Sequence, residues 1–234
     1  MNEKEVVQIL SDIGAIKKGH FVFTPKEIPP GSGKYENFHG DTYVDKDETF
    51  WLPHYLIKIA HEIAHRLVDK KIDIIVGPEK GAIGLAPLIA NRLNEIQNME
   101  LLPLYWGGNI AAAYSEKDGQ DKMIIKRCFA KHIKEHPGCN VWIAEDIGNS
   151  GSSARKTVQA AQELGANVVG VSLIAARKKL TSEDVGGVPV EWLALVEGEI
   201  WPEDSCPLCE KNGFKSVRTD VGHGKNFLKR KGLI

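Results

Sequence analysis

The chain has 234 residues, of which 42% are hydrophobic and 26% charged, and its formal net charge is −1 at pH 7. This size and composition are typical of one globular domain, and the balanced charge argues against a broad nucleic-acid or anionic-membrane surface. The charged start "MNEKEVVQIL" lacks the apolar segment of a signal peptide, and no apolar run approaches the roughly 20 residues that cross a bilayer. Four cysteines without a secretory signal favour a reducing cytoplasm over a disulfide framework. We therefore expect a cytoplasmic protein without nucleic-acid or membrane partners.

The first third of the chain predicts a helix, two short strands and a second helix. "EVVQILSDIGAI" has apolar residues at helical spacing and ends near Gly14, and "GHFVFT" is typical of a strand. The following "PKEIPPGSGKYENFHGD" is rich in Pro, Gly and polar residues, which predicts a loop, and "TYVDKD" predicts a strand edge. A helix then begins at Pro53. Its apolar face consists of Leu56, Ile59, Ile63 and Leu67.

The rest of the chain alternates apolar strands with amphipathic helices. "IDIIVGPEKGAIGLAPLIANRLNE" predicts a strand, a turn and a helix, "ELLPLYW" a strand, and "AAAYSEKDGQDKMIIKRCF" two strands joined by the polar tip Glu116 to Lys122. "NVWIAEDIGNSGSSARKTVQAAQELGA" again predicts strand, turn and helix, closed by Gly165. "NVVGVSLIAA" and "VEWLALVEG" predict two further strands. This alternation predicts an α/β fold with a central, mainly parallel sheet flanked by helices.

The tail from Trp201 departs from this alternation and predicts a small lid or capping segment. We expect a single domain over residues 1–234, with its core at 51–200 and a small hood built from residues 1–50 and 201–234.

The densest chemical signal is "VWIAEDIGNSGSS" at residues 141–153. A buried strand ends in the adjacent acids Glu145 and Asp146, a Ser/Gly turn follows, and a helix begins near Ser153. Ligands of open parallel sheets bind beyond the carboxyl ends of the strands, and a turn leading into a helix N-terminus holds phosphate. The two acids would repel that phosphate, so they suit hydroxyl groups or Mg²⁺ on the same ligand. A sugar phosphate satisfies both halves, and a capped helix beside two solvated acids is the alternative.

This stretch resembles the phosphoribosyl-pyrophosphate signature of type I phosphoribosyltransferases. The resemblance implies that Glu145 and Asp146 contact the ribose hydroxyls of the substrate and that the turn holds its 5′-phosphate. Where the family has two Thr, this chain has Asn149 and Ser150. The substrate-binding residues implied after the acid pair are Ile147, Gly148, Asn149, Ser150, Gly151, Ser152 and Ser153.

Two further segments are similar to parts of the same family. "IIVGPEKGAIGLA" resembles the second loop, which wraps the pyrophosphate, and places Lys80 and Gly81 there. "AAAYSEKDGQDKMIIKRCF" resembles the mobile hairpin of the orotate-specific branch, whose basic residues suit pyrophosphate leaving as a polyanion. A solvated charge run on a hairpin is the alternative. The catalytic residues implied are Lys117, Lys122, Lys126 and Arg127, together with Asp146.

The two chain ends favour the orotate-specific branch. "GHFVFT" with "HGDTYVDKD" resembles the N-terminal hood of these enzymes, although the insertion "PKEIPPGSGKYENF" leaves either Lys34 or Phe38–His39 as the match to the basic hood residue. "WPEDSCPLC" resembles their C-terminal ends. Arg177, after the strand "VVGVSLIAA", matches an Arg that meets the orotate carboxylate.

The resemblance implies transfer of the 5-phosphoribosyl group from phosphoribosyl pyrophosphate to orotate, giving orotidine 5′-phosphate and pyrophosphate. It also implies Mg²⁺ as cofactor, held mainly through the substrate rather than in a protein cage, and a homodimer. Two alternatives stay open: a type I phosphoribosyltransferase for a purine or another base, and a non-catalytic regulator on the same fold. Asn149 is the feature that favours the regulator.

Two metal-like motifs compete with this interpretation. "HEIAH" at residues 61–65 is the spelling of a zinc-protease helix, which needs a third ligand such as Glu95 or Glu100. Because His61 and His65 fall beside the apolar helix face, we interpret them as ordinary helix histidines. Cys206 and Cys209 have the spacing of half a zinc knuckle, with His223 as a possible third ligand and no evident fourth, so a packed turn or an oxidisable thiol pair is favoured.

Overall fold

A computed structural model describes residues 1–28, 32–97, 109–120 and 122–234. The chain forms two compact units. Unit 1 consists of Met1–Ile9 and Lys46–Val196, and unit 2 of Leu10–Asp45 and Glu197–Ile234. No helix within the described ranges is long and apolar enough to cross a membrane. The strand predicted at "ELLPLYW" lies outside the described residues.

Eleven strands and eight α-helices make up the described elements. The strands are β1 Ile16–Val22, β2 Lys26–Glu27, β3 Tyr35–Glu36, β4 Phe38–Val44, β5 Ile74–Pro78, β6 Ala111–Lys117, β7 Met123–Ile124, β8 Asn140–Gly148, β9 Asn167–Ala176, β10 Val190–Leu195 and β11 Ile200–Pro202. The helices are α1 Glu3–Asp12, α2 Lys46–Trp51, α3 Pro53–Leu67, α4 Leu85–Ile96, α5 Arg127–Glu135, α6 Ser152–Glu163, α7 Pro207–Asn212 and α8 Gly224–Arg230.

Unit 1 is built on a six-stranded sheet with the order β10-β9-β8-β5-β6-β7. All neighbouring strands pair in parallel except β7, which runs antiparallel to β6. The prediction of a central, mainly parallel sheet is confirmed. Because the inner strands are apolar on both faces, both faces must be covered by helices.

The helices of unit 1 cover the two faces through apolar stripes. On one face, Ala154, Val158 and Ala161 of α6 join a buried cluster with alternate sheet residues such as Val76 and Ile143. Helix α4 contacts β5, β6 and β8 and packs on α3. The predicted apolar face of α3 is buried, with Leu56, Ile59, Ile63 and Leu67 all less than 9% exposed. Because the helices pack on both faces, the carboxyl ends of the strands are held in place along one edge of the sheet.

Unit 2 contains the three-stranded sheet β1-β4-β11, in which β4 pairs antiparallel with both neighbours. The prediction of a loop over residues 25–41 is wrong, because β2 pairs with β3 and β4 already begins at Phe38. The buried residues of β4 are His39, Gly40, Thr42 and Val44, of which only Val44 is a large apolar residue, so the strand shows no clear apolar alternation. The hydropathy of this stretch therefore does not indicate a strand.

The segment after the hairpin also differs from its prediction. The second hairpin strand is only Met123–Ile124, and Arg127 opens α5 instead of continuing that strand. Ile133 is the one buried residue of α5, and Phe129, four residues earlier, packs against the same core. This helical spacing is present in the sequence, but the predicted hairpin assigned residues 127–129 to a strand and left the rest of α5 unassigned.

Candidate active site

The acid pair lies at the end of β8, in the middle of the unit 1 sheet, between β5 and β9. Glu145 and Asp146 are each only 5% exposed. The backbone N–H of Asp146 donates to Glu145 Oε1 at 3.2 Å, and that of Ile147 donates to Asp146 Oδ1 at 2.5 Å. Glu145 Oε2 is buried and has no hydrogen-bond partner among the described residues. A buried carboxylate oxygen left in this state is poised for a ligand that brings hydrogen-bond donors or a cation.

Lys46, the first residue of α2, is a site residue that sequence reasoning missed. Its Nζ lies 3.2 Å from Asp146 Oδ2. Burial alone would lower the pKa of Lys46, but the charge of Asp146 and its hydrogen bond outweigh this effect and raise it. Lys46 therefore stays cationic and places a positive charge beside Asp146. In the sequence it stands in the charged run "VDKDE", about a hundred residues before its partner, and nothing there distinguishes it from a solvated lysine.

The pKa of Glu145 is shifted in the direction that favours its protonated form. Burial, followed by the neighbouring charge of Asp146, raises the pKa of Glu145 well above its ordinary value. A buried acid pair of this kind costs folding free energy, and such pairs concentrate at functional sites.

We expect Glu145→Gln to stabilise the ligand-free protein, and the gain to grow with pH. In the wild type, the folded state retains a proton that the unfolded chain releases above about pH 4.5, so stability falls as pH rises toward the raised pKa of Glu145. The Gln variant carries no such proton and escapes this loss. Thermal unfolding of both proteins at about pH 5 and about pH 8 tests the expectation. An advantage of the variant that shrinks with increasing pH would contradict it.

The turn after the acid pair forms a cradle at the start of α6. Gly151 has φ +76°, a left-handed conformation, and a Cβ there would lie 2.6 Å from the backbone oxygen of Asp184. No side chain of the described residues caps the N-terminus of α6, so its first N–H groups remain available to an anion. One pocket joins this cradle to Glu145. The lining residues are Glu145, Ile147, Gly148, Asn149, Ser150, Gly151, Ser152, Ser153, Ala154 and Leu173.

The second predicted loop follows β5 and reaches the same acids. Gly81 is buried, and a Cβ built on it would lie 1.6 Å from Asp146 Oδ2 and 3.0 Å from Lys46 Cδ. The backbone of this loop therefore touches the Asp146–Lys46 pair directly. Lys80, one residue earlier, is exposed.

Arg177 lies at the same edge of the sheet. It follows β9 directly, its backbone N–H donates to the oxygen of Gly148 at 2.9 Å, and it is 7% exposed. The structure thus brings together the acid pair, the turn, Gly81 and Arg177.

The basic residues of the hairpin are not gathered around the cradle. Lys117, Lys122, Lys126 and Arg127 are all exposed. Lys122 Nζ lies 2.8 and 2.9 Å from the carboxylate oxygens of Glu163, the last residue of α6. The cradle lies at the opposite end of α6, which is about 18 Å long. Lys126 Nζ lies 3.3 Å from Glu116 Oε1.

The two candidates for the basic hood residue lie in unit 2. Lys34 is exposed just before β3. His39, in β4 after Phe38, is fully buried and faces His20 and Cys209 rather than solvent.

The "HEIAH" segment is helical, as the zinc-protease motif requires, but no third metal-ligating side chain among the described residues joins its two histidines. His61 is half-buried and His65 exposed. Glu62 instead accepts hydrogen bonds from the amino terminus of Met1 and from Arg66. Within the described ranges these histidines belong to no group of three metal-ligating side chains, and Glu100 lies outside those ranges. The interpretation as ordinary helix histidines agrees with this placement.

Solved phosphoribosyltransferase structures share the fold. The orotate phosphoribosyltransferase of Aeropyrum pernix superposes with a TM-score of 0.55 at 16% identity, covering 82% of this chain and 93% of that one. The Mycobacterium tuberculosis enzyme, solved with inorganic phosphate, gives 0.53 at 19% identity and covers 83% and 95%. With the acid pair and the cradle at the carboxyl edge of the sheet, this fold is that of the type I phosphoribosyltransferases.

Sequence similarity specifies the branch. No protein-family model matches the chain. The orotate phosphoribosyltransferase of Thermoanaerobacter sp. (strain X514) is 30% identical over 220 residues, which cover 93% of this chain and 97% of that protein. This chain therefore belongs to the orotate phosphoribosyltransferase family.

Proposed function

We propose that the enzyme transfers the 5-phosphoribosyl group from phosphoribosyl pyrophosphate to orotate, giving orotidine 5′-phosphate and pyrophosphate. The observation that carries the proposal is the pocket that joins the buried Glu145 carboxyl to the turn at the start of α6. One ligand that fills both halves must combine hydroxyl groups with a phosphate. A ribose 5-phosphate has this chemistry.

In this proposal the cradle binds the 5′-phosphate through backbone N–H groups and the hydroxyls of Ser150, Ser152 and Ser153. The ribose hydroxyls donate to the acid pair, and Glu145 Oε2, which has no hydrogen-bond partner among the described residues, accepts one of them. As a ring nitrogen of orotate bonds to the anomeric carbon and the bond to pyrophosphate breaks, positive charge develops on the ribose. The carboxylate of Asp146, paired with Lys46, stabilises that charge.

The acid pair also fits Mg²⁺, since carboxylate oxygens are the hard ligands that this ion prefers. Asp146 and, once its proton has been released to solvent, Glu145 would hold it together with oxygens of the substrate. When bound, it neutralises charge on the leaving pyrophosphate.

Other parts of the proposal rest on the resemblance. Arg177, buried at the same edge, suits the carboxylate of orotate. Lys80 and Gly81 would wrap the pyrophosphate, and unit 2, with Lys34, would serve as the hood. A homodimer and a cytoplasmic location complete the proposal.

The hairpin from Tyr114 to Arg127 must rearrange if its basic residues are to act on the leaving group. Lys122 would have to exchange Glu163 for pyrophosphate, which is feasible because exposed ion pairs contribute little free energy. We expect Lys117→Ala or Lys122→Ala to lower kcat more than it raises KM for orotate, because charge on the leaving group grows toward the transition state. Steady-state kinetics measures both constants.

The matched control for the hairpin variants is Lys131→Ala on α5, which removes another exposed lysine, paired with Glu135. It should leave both constants unchanged. Alanine at Lys117, Lys122, Lys126 and Arg127 together with an unaltered kcat would show that the hairpin takes no part in the chemistry.

The proposed reaction is tested by an absorbance assay with phosphoribosyl pyrophosphate, Mg²⁺ and either orotate, uracil or hypoxanthine. Turnover with orotate alone is expected. Turnover with hypoxanthine instead would point to a purine enzyme on the same fold. Tight binding of phosphoribosyl pyrophosphate without turnover of any base would point to a regulator.

A further inference from the structure

Four metal-ligating side chains meet inside unit 2. His20 comes from β1, His39 from β4, and Cys206 and Cys209 from the start of α7. One ligand atom from each residue lies within 4.8 Å of all the others. Among the described residues this is the only group of three or more His, Cys, Asp or Glu side chains that could hold a metal ion.

The distances are close to those of a tetrahedral site. His20 Nε2 lies 3.7 Å from Cys206 Sγ and 3.6 Å from Cys209 Sγ, and His39 Nδ1 lies 3.2 Å from Cys209 Sγ. Tetrahedral zinc, with bonds of about 2.3 Å to sulfur and about 2.05 Å to nitrogen, separates its ligand atoms by about 3.3–3.8 Å. The two ring nitrogens, 2.8 Å apart, need to open by only about half an ångström.

The surroundings hold the ligands in place and exclude water. His20, His39 and Cys206 are at most 4% exposed. The other ring nitrogen of His20, Nδ1, lies 2.7 Å from Ser216 Oγ, an arrangement that fixes the ring and leaves Nε2 as the ligating atom. The edge of Phe227 packs against the His39 ring at a centroid distance of 4.9 Å. A site with four protein ligands and no open position is structural rather than catalytic.

We propose that His20, His39, Cys206 and Cys209 form a structural zinc site. Binding of Zn²⁺ replaces the two thiol protons, which pass to solvent, and both imidazoles bind as neutral bases. The two thiolates cancel the charge of the ion, so the loaded site is neutral, as its buried surroundings require. No electron is transferred and no co-reactant is needed.

The site would link the two chain segments that form unit 2, Leu10–Asp45 and Glu197–Ile234. The ligands join His20 to Cys206 across 186 positions and His39 to Cys209 across 170. Within the described part of the chain, the cluster of buried apolar residues beside them consists of Val22, Val217, Phe227 and Leu228, with Phe214 packed against it. A small core of this kind commonly needs a metal or a disulfide, and a clip that closes a long loop stabilises most.

His223, which the sequence offered as a possible third ligand, is not part of the group. Its Nε2 lies 2.9 Å from Thr24 Oγ1. The missing ligands are supplied instead by two strands that precede the cysteines by more than 160 residues. The oxidisable thiol pair is the remaining alternative for Cys206 and Cys209, and the experiment distinguishes it.

The test is the metal content of the full-length protein, purified without chelators from zinc-supplemented medium and measured by plasma mass spectrometry. We expect one zinc ion per chain in the wild type and only traces in Cys209→Ser and His20→Asn. Two matched controls should retain the full equivalent: Cys128→Ser, which removes an exposed cysteine, and His61→Ala, which disrupts the "HEIAH" segment.

A second measurement avoids variants that fail to fold. Wild-type protein freed of metal should take up one Co²⁺ per chain, with the thiolate charge-transfer and tetrahedral d–d bands of a mixed sulfur and nitrogen site. It should also lose thermal stability reversibly on metal removal. Three results would overturn the proposal: wild-type protein that binds neither ion, an intact mass two hydrogens lower that maps to a Cys206–Cys209 disulfide, or zinc that is lost in His61→Ala but kept in Cys209→Ser. None of these outcomes depends on which base the enzyme accepts.

Discussion

Asp146→Asn should lower kcat/KM for phosphoribosyl pyrophosphate by about 100-fold or more without unfolding the protein. The change removes the charge that balances Lys46, 3.2 Å away, and that would stabilise the ribose as pyrophosphate leaves. The amide has the same shape as the carboxylate, so packing at the end of β8 is kept. Steady-state kinetics with varied phosphoribosyl pyrophosphate gives the constant, and circular dichroism checks the fold.

The matched control is Asp69→Asn, which makes the same chemical change at an exposed position after α3 and should leave the kinetics unaltered. Because Glu145 is adjacent and could take over part of the role, the double variant Glu145→Gln, Asp146→Asn is the stricter test. Unchanged kinetics in the double variant would remove the acid pair from the mechanism.

Gly81→Ala should reduce kcat/KM by about 100-fold, because the added Cβ would collide with the Asp146 carboxylate. That Cβ would lie 1.6 Å from Oδ2 and 2.8 Å from Cγ of Asp146, and 3.0 Å from Lys46 Cδ, so the carboxylate must move. A displacement of about 1 Å at a reacting centre is enough for a loss of this size. The variant keeps every charge of the site, so it tests position rather than charge.

Gly84→Ala is the control for that variant, because a Cβ at Gly84, three residues further along the same segment, meets nothing within 4 Å. It should have wild-type activity and unfold at the wild-type temperature. Full activity in Gly81→Ala would mean that catalysis does not require the observed position of Asp146.

The sequence by itself determined those features of this protein that depend on local pattern. Apolar strands alternating with amphipathic helices predicted the parallel sheet, since strands buried on both faces need no polar positions. The stretch "VWIAEDIGNSGSS" predicted the acid pair, the turn and the helix start, because strand, turn and helix N-terminus are continuous in the chain. For the same reason, the sequence predicted that Gly81 and Arg177 follow the ends of their strands.

Tertiary structure decided what depends on residues distant in sequence or on charged segments without periodicity. Lys46 became the partner of Asp146 only through folding of unit 1, since a lysine in a charged run looks the same whether solvated or paired. Strand β4 formed where a loop was expected, with His39 and Thr42 buried. His20 and His39 joined Cys206 and Cys209 because antiparallel pairing in unit 2 brings the two chain ends together, across separations of 170 residues or more. A contact of this kind has no characteristic spacing in the sequence. Its geometry is set by the pairing of the strands in the sheet and not by the length of chain between the ligands.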